Sequence, residues 1–205
     1  MEIEGKNSYT GYSKGTIVKK HKRTPIVLVH GGWAGGWQWT ETAEKLIVNG
    51  SSAFTPTLTG LGDRVHLASP EVDINTYIND VENVLIYEEL ADVILVGFSY
   101  SGLVVTGLAE VVPERIRHII YVDAFIPKNG QSLEDIVGER ISAHFHKFAH
   151  DYGNGWLVPS FFENDPRLTA QPIKTSTTPL TVTNPLAETV PRTYIKCTAK
   201  DPSWS

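Results

Sequence analysis

Ser99 stands in the run Val93-Ile94-Leu95-Val96-Gly97-Phe98-Ser99-Tyr100-Ser101-Gly102, with small residues two places before and two places after it. A serine hydroxyl is a weak nucleophile until a base and a fixed geometry act on it. A sharp strand-to-helix turn supplies the geometry. The two backbones approach closely there, so the flanking positions must be small. A pattern of this kind arises by chance roughly 0.2 times in a chain of this length, so its context matters. An apolar β-branched run precedes it and a helical pattern follows. The same flanks would also fit a strand-to-helix corner with no chemistry.

A second segment complements the first: Ile26-Val27-Leu28-Val29-His30-Gly31-Gly32-Trp33-Ala34-Gly35-Gly36-Trp37-Gln38-Trp39. It has neither the Gly-Lys-Ser/Thr of a phosphate loop nor the spacing G-x-G-x-x-G. His-Gly-Gly after a strand instead fits a loop whose backbone N–H stabilises a tetrahedral oxyanion. Its donors are expected to be the N–H groups of Gly32 and Tyr100. His30 is expected to bond loop backbone, and the three tryptophans to pack under the loop with Trp33 nearest the pocket.

The elements that must position these residues are short apolar runs, Ile26–Val29, Val93–Val96 and Ile119–Val122, that do not alternate with polar residues. Such runs suit central strands of a parallel sheet covered on both faces. After Asp73, a fitting N-cap, Ile74, Tyr77, Ile78, Val81, Val84 and Leu85 follow helical spacing. A second helix is expected from about Tyr100 to Val112, stopped by Pro113. Strands alternating with helices define an α/β fold with a mostly parallel, doubly wound sheet.

Residues 1–24 read as a polar leader and 25–127 as the first part of the core. Residues 128–190 carry Pro159, Pro166, Pro172, Pro179 and Pro185, polar threonine-rich runs, and Phe145, Phe148, Trp156, Phe161 and Phe162. A linker would lack so many aromatics, so this stretch reads as an inserted subdomain over the sheet. A strand returns at Thr193–Cys197, and 191–205 reads as a core strand and its following loop.

Composition narrows the class further. The 205 residues carry a net charge of -5, which argues against a nucleic-acid binder. The single cysteine, Cys197, allows no internal disulfide, and no Cys/His cluster suggests a metal site. No apolar run has the length of a membrane span, and the N-terminus lacks a signal-peptide core. A cytoplasmic protein without cofactor or metal is expected.

The two glycine-rich segments, together with Thr57-Leu58-Thr59-Gly60-Leu61-Gly62-Asp63-Arg64-Val65-His66 and Tyr121-Val122-Asp123-Ala124-Phe125-Ile126-Pro127, resemble the α/β-hydrolase superfamily. The group most similar contains plant methylesterases, hydroxynitrile lyases and small bacterial esterases. The resemblance implies hydrolysis of small carboxylic esters with Ser99 as nucleophile, and residues 128–190 as a cap shaping the pocket. Lining by Gly31, Trp33, Phe98, Phe125, His144 and Trp156 is expected. Family members carry the triad acid after the strand at Tyr194–Cys197, which points to Asp201, although the spacing is one residue longer than usual. Asp123 is the alternative acid.

The chain departs from the family in three ways. Phe98 stands where esterases often have His, and Ser101 where they have Gly. The triad His, which follows one further strand, has no counterpart before Ser205. The implied account is a chain lacking the last strand and helix of the fold, inactive by itself, with its last strand at an open edge able to pair in a homodimer. A replacement base among His144, His146 and His150 is one further possibility. A protein that binds a small ligand without catalysis, and a lyase of the hydroxynitrile type, are the competing functions. The lyases commonly place Thr at the position of Gly31, which favours hydrolysis here.

Overall fold

The computed structural model describes residues 23–162 and 165–198. In chain order the elements are β1 (Pro25–Val29), α1 (Thr40–Val48), β2 (Ser52–Phe54), α2 (Ile74–Tyr87), β3 (Val93–Phe98), α3 (Gly102–Val111), β4 (Ile116–Val122), α4 (Leu133–Val137), α5 (Glu139–Tyr152), β5 (Leu157–Val158), β6 (Gln171–Pro172), α6 (Lys174–Thr177), α7 (Pro185–Glu188) and β7 (Arg192–Ile195). Short 3-10 turns at Gly36–Trp39, Gly62–Leu67, Ser99–Ser101 and Pro113–Arg115 join them.

The main sheet has the order β2-β1-β3-β4-β7, and every pairing is parallel. The chain steps from β1 outward to β2, then returns to place β3 on the other side of β1. That reversal opens a crevice beyond the carboxyl ends of β1 and β3, the usual ligand position in an open α/β sheet. The register sets Val29 beside Gly97, Phe98 beside Val122 and Val122 beside Ile195. The strands therefore end level, and the loops after Val29, Phe98, Val122 and Ile195 emerge along one rim.

Side chains alternate between the two faces of each strand. Val27, Val29, Val93, Leu95, Ile119 and Tyr121 pack with α2 and α3 in the larger core. Leu28 and Val96 form a smaller cluster with Ala43 of α1, flanked by half-buried Ile26, Ile94 and Ile120. The face holding α1 is thus thinly covered, and the expectation of strands buried on both faces holds fully for one face only. Asp73 caps α2 by accepting the Thr76 N–H at 3.0 Å while Thr76 Oγ1 accepts the Asp73 N–H at 3.3 Å. The periodic residues of α2 are buried as their spacing predicts, except Val84, which is half-buried.

Several local expectations need correction. The second helix begins as a 3-10 turn at Ser99 and becomes α-helical at Gly102. The last strand spans Arg192–Ile195 and is exposed throughout, because β4 is its one neighbour among the described residues. Thr175 and Ser176, read as part of a polar run, are buried on α6. Residues 128–190 hold α4 to α7 and the antiparallel pair β5–β6. Glu110 of α3 anchors the far end of this segment by accepting the N–H groups of Thr183 and Asn184, each at 2.7 Å. No helix among the described residues is long and apolar enough to cross a membrane. Of the leader, residues 1–22 lie outside the described residues.

Candidate active site

Ser99 is the first residue after β3 and has φ 52°. A non-glycine residue in the left-handed region stores strain, which the surrounding structure must hold in place. Here the Ser99 carbonyl accepts the Phe125 N–H at 3.0 Å, and two glycines admit the close approach of neighbouring elements. A Cβ at Gly97 would lie 2.8 Å from Val105 Cγ2, and one at Gly102 would lie 2.1 Å from the Phe125 carbonyl oxygen. Ser101 completes the corner. Its buried hydroxyl accepts the Phe98 N–H at 2.8 Å and lies 2.9 Å from the Val29 carbonyl, tying the turn to the end of β1.

The loop after β1 comes directly against this corner. A Cβ on Gly31 would stand 3.5 Å from Ser99 Cβ and 3.0 Å from Phe98 Cδ1, and one on Gly32 would stand 3.6 Å from Tyr100 Cβ. The Gly31 N–H is taken by Gln38 Oε1 and the Trp33 N–H by Gln171 Oε1, each at 2.9 Å. The Gly32 N–H between them takes no partner among the described residues. Tyr100 lies in the first turn of the helix that follows, where backbone N–H groups have no acceptor within the helix. Gly32 and Tyr100 thus lie close together beside the Ser99 turn, at the positive end of α3.

His30 is fully buried. Its Nε2 accepts the Leu58 N–H at 3.1 Å, so Nδ1 carries the proton and donates to the Gly31 carbonyl at 2.8 Å. Burial pushes its pKa down to about 4, and the ring is held neutral. Both nitrogens serve the loop, leaving none to act on Ser99. His66 is exposed, and His118 is half-buried with its Nε2 at 2.8 Å from Thr193 Oγ1.

His144 does not line the pocket. It is exposed on α5, with Nδ1 at 2.6 Å from the Arg140 carbonyl of its own helix. His146 meets Glu134 and His150 meets Asp151, both exposed. The helix turns Phe145 and Ala149 inward instead, as its amphipathic spacing dictates. No described histidine hydrogen-bonds the Ser99 hydroxyl. Asp123 directly follows β4 with φ 43°, its N–H on the Ile195 carbonyl at 2.8 Å and its side chain exposed. Asp201 lies outside the described residues.

Trp33, with φ 61°, joins the loop to the inserted segment. Its indole N–H donates to the Val158 carbonyl at 2.9 Å, and its carbonyl accepts the Thr169 N–H at 2.9 Å. Its ring meets Phe145, Phe161 and Phe162 edge-on, with centroids 6.2, 5.2 and 5.9 Å away. Trp156 is half-buried beside β5 and is absent from this ring cluster. Phe98 packs edge-on against Trp39, and the Arg167 guanidinium covers Trp37. Phe125 donates its N–H to the Ser99 carbonyl and packs its half-buried side chain against the larger core. Gln171 and Thr175 carry no motif and escape sequence reasoning. Ser101 was visible only as a Ser at a position where Gly is usual.

A strained serine at a strand-to-helix corner, facing a glycine loop at the switch point of a parallel sheet, defines an α/β hydrolase. The chain belongs to the α/β hydrolase family, whose profile matches residues 26–205. Over 142 residues it is 43% identical to a carbendazim hydrolyzing esterase of Nocardioides sp. (strain SG-4G), covering 65% of this chain and 59% of that protein. Over 152 residues it is 34% identical to a chloroplastic methylesterase of Arabidopsis thaliana, covering 70% of this chain and 41% of that one. The chain therefore spans about half the length of these relatives. Its fold matches an extracellular α/β-hydrolase from a Paenibacillus species with TM-score 0.72 at 23% identity, over 85% of this chain and 78% of that one.

Proposed function

We propose that the protein is a serine-dependent hydrolase of small carboxylic esters. The observation that carries this is the strained Ser99 turn packed against the Gly31-Gly32 loop, whose Gly32 N–H takes no partner among the described residues. Esterases among the relatives support the choice of ester. The Ser99 oxygen attacks the ester carbonyl and gives its proton to a base, and the oxyanion is held by the N–H groups of Gly32 and Tyr100. Collapse expels the alcohol, which takes the proton, and leaves an acyl group on Ser99. Water then attacks the acyl carbon and releases the acid. No metal or redox cofactor enters these steps.

The base is the incomplete part. No described histidine hydrogen-bonds the Ser99 hydroxyl, and little or no ester turnover by the 205 residues alone is the expected outcome. Gly31 supports hydrolysis over hydroxynitrile cleavage, since the lyases that the chain resembles commonly place a threonine at that position.

The test is p-nitrophenyl butyrate hydrolysis by the chain and by Ser99→Ala, with and without added imidazole as a diffusible base. Activity is expected only with imidazole, in excess of the imidazole background, and lost in Ser99→Ala. Equal rates for the two proteins at every imidazole concentration would refute the serine mechanism. Turnover without imidazole that is lost in Ser99→Ala would place a base within the chain.

A further inference from the structure

We propose that Gln171 is a positioning residue for the oxyanion site, through which the inserted segment sets the separation of the two donors. The proposal rests on the serine-hydrolase function above. Gln171 is 3% exposed and sits on β6, which belongs to neither the sheet nor the Ser99 turn. Its Oε1 accepts the Trp33 N–H at 2.9 Å, one peptide unit beyond the Gly32 donor, and would lie 3.2 Å from a Cβ on Gly32. Its Nε2 donates to Thr175 Oγ1 at 2.9 Å. That hydroxyl gives its own proton to the Pro172 carbonyl at 2.7 Å, so the orientation of the amide is fixed.

The bridge then continues to the second donor. The Thr175 carbonyl accepts the buried Tyr100 hydroxyl at 2.8 Å, and the Tyr100 Cβ would lie 3.6 Å from a Cβ on Gly32. A single buried chain of polar groups, Trp33 N–H, Gln171, Thr175 and Tyr100 Oη, thus spans both sides of the site. The strained φ of 61° at Trp33 is what this chain holds in place. The sheet fixes where the two loops begin, whereas the bridge fixes how far apart their donors end.

The donors matter only when an oxyanion lies between them, which gives the experiment its contrast. Phenylboronic acid mimics that state: boron accepts the Ser99 oxygen, the hydroxyl proton leaves to solvent, and a tetrahedral boronate anion forms. Benzyl alcohol probes the same apolar site without an anion. Their affinities would be measured for the 205-residue chain and for Gln171→Leu, Tyr100→Phe and Ser99→Ala. Gln171→Leu is expected to weaken the boronate about 10- to 100-fold, the order set by a 1 Å misplacement, and to leave benzyl alcohol within twofold. Tyr100→Phe keeps its backbone N–H and cuts the far end of the bridge, so the same selective loss is expected, and it serves if Gln171→Leu fails to fold. Equal losses for both ligands, or none for the boronate, would overturn the proposal. Ser99→Ala binding the boronate as tightly as the parent would instead remove the serine site itself, and the proposal with it.

Discussion

Gly102 and Gly107 lie on the same helix, yet alanine is expected to destabilise the protein at the first position and to be near neutral at the second. At Gly107 the new Cβ would meet Ile78 Cδ1 at 2.3 Å and Leu180 Cδ1 at 3.0 Å. Ile78 Cγ1 would also lie at 2.9 Å, but all three are side-chain atoms, and turning Ile78 off its preferred rotamer costs about 0.5–1.5 kcal/mol. Alanine inside a helix returns about 1 kcal/mol over glycine, so the net change at Gly107 is near zero. At Gly102 the Cβ would stand 2.1 Å from the Phe125 carbonyl oxygen, which is backbone. Carbon and oxygen need about 3.3 Å, so helix and loop must part by roughly 1 Å. The Phe125 N–H bond to the Ser99 carbonyl lies in that path. Overpacking of this kind costs about 3 kcal/mol at its upper end, and Gly102, as the first α-helical residue, recovers little propensity. With a urea slope of about 3 kcal/mol/M, the midpoint of Gly102→Ala is expected to fall by about 1 M while Gly107→Ala stays close to the parent. Equal midpoints for the two variants would refute the claim that α3 is seated against backbone at its start and side chains in its middle.

Three further outcomes follow from the same contacts. His30 has a folded pKa of about 4, below the ordinary 6.5, so the unfolded chain takes the proton first as pH falls. Its contribution is fully present above about pH 6.5 and is lost down to about pH 4, some 3 kcal/mol in all. Urea midpoints should show that decline, and a His30→Gln protein with the same slope over this window would refute it. Ser101→Gly restores the usual small residue but strands the Phe98 N–H and the Val29 carbonyl, and a stability loss of about 1–3 kcal/mol is expected by the same denaturation assay; a more stable variant would show that the hydroxyl is dispensable. Tyr194 and Ile195 of β7 are each 49% exposed on the outermost strand among the described residues, and we propose that two copies of the 205-residue chain pair there at high concentration. Light scattering should give a dimer mass that Ile195→Lys returns to monomer, and a monomer at every concentration would end that proposal.

Local chemistry made part of this protein legible from residues alone. Apolar runs without alternation marked β1, β3 and β4, because both faces of these central strands carry apolar side chains, even where one face is thinly covered. Asp73 and the spacing behind it marked α2. Gly97, Ser99 and the His30-Gly31-Gly32 run marked the two loops, because each needs a backbone approach that few residues permit. β2 is only three residues long and leaves no run to recognise.

What depended on contacts between distant segments could be seen only in the folded chain. The outward turn of His144 is set by which face of α5 packs on Trp33, since three histidines and three aromatics share one helical stretch. Gln171 lies 138 positions from Trp33 along the chain, and no spacing links a lone glutamine to a loop so far away. Sequence determines which residues can bear chemistry, through propensity and size. Tertiary structure decides which of them meet, because hydrogen bonds and packing act between neighbours in space.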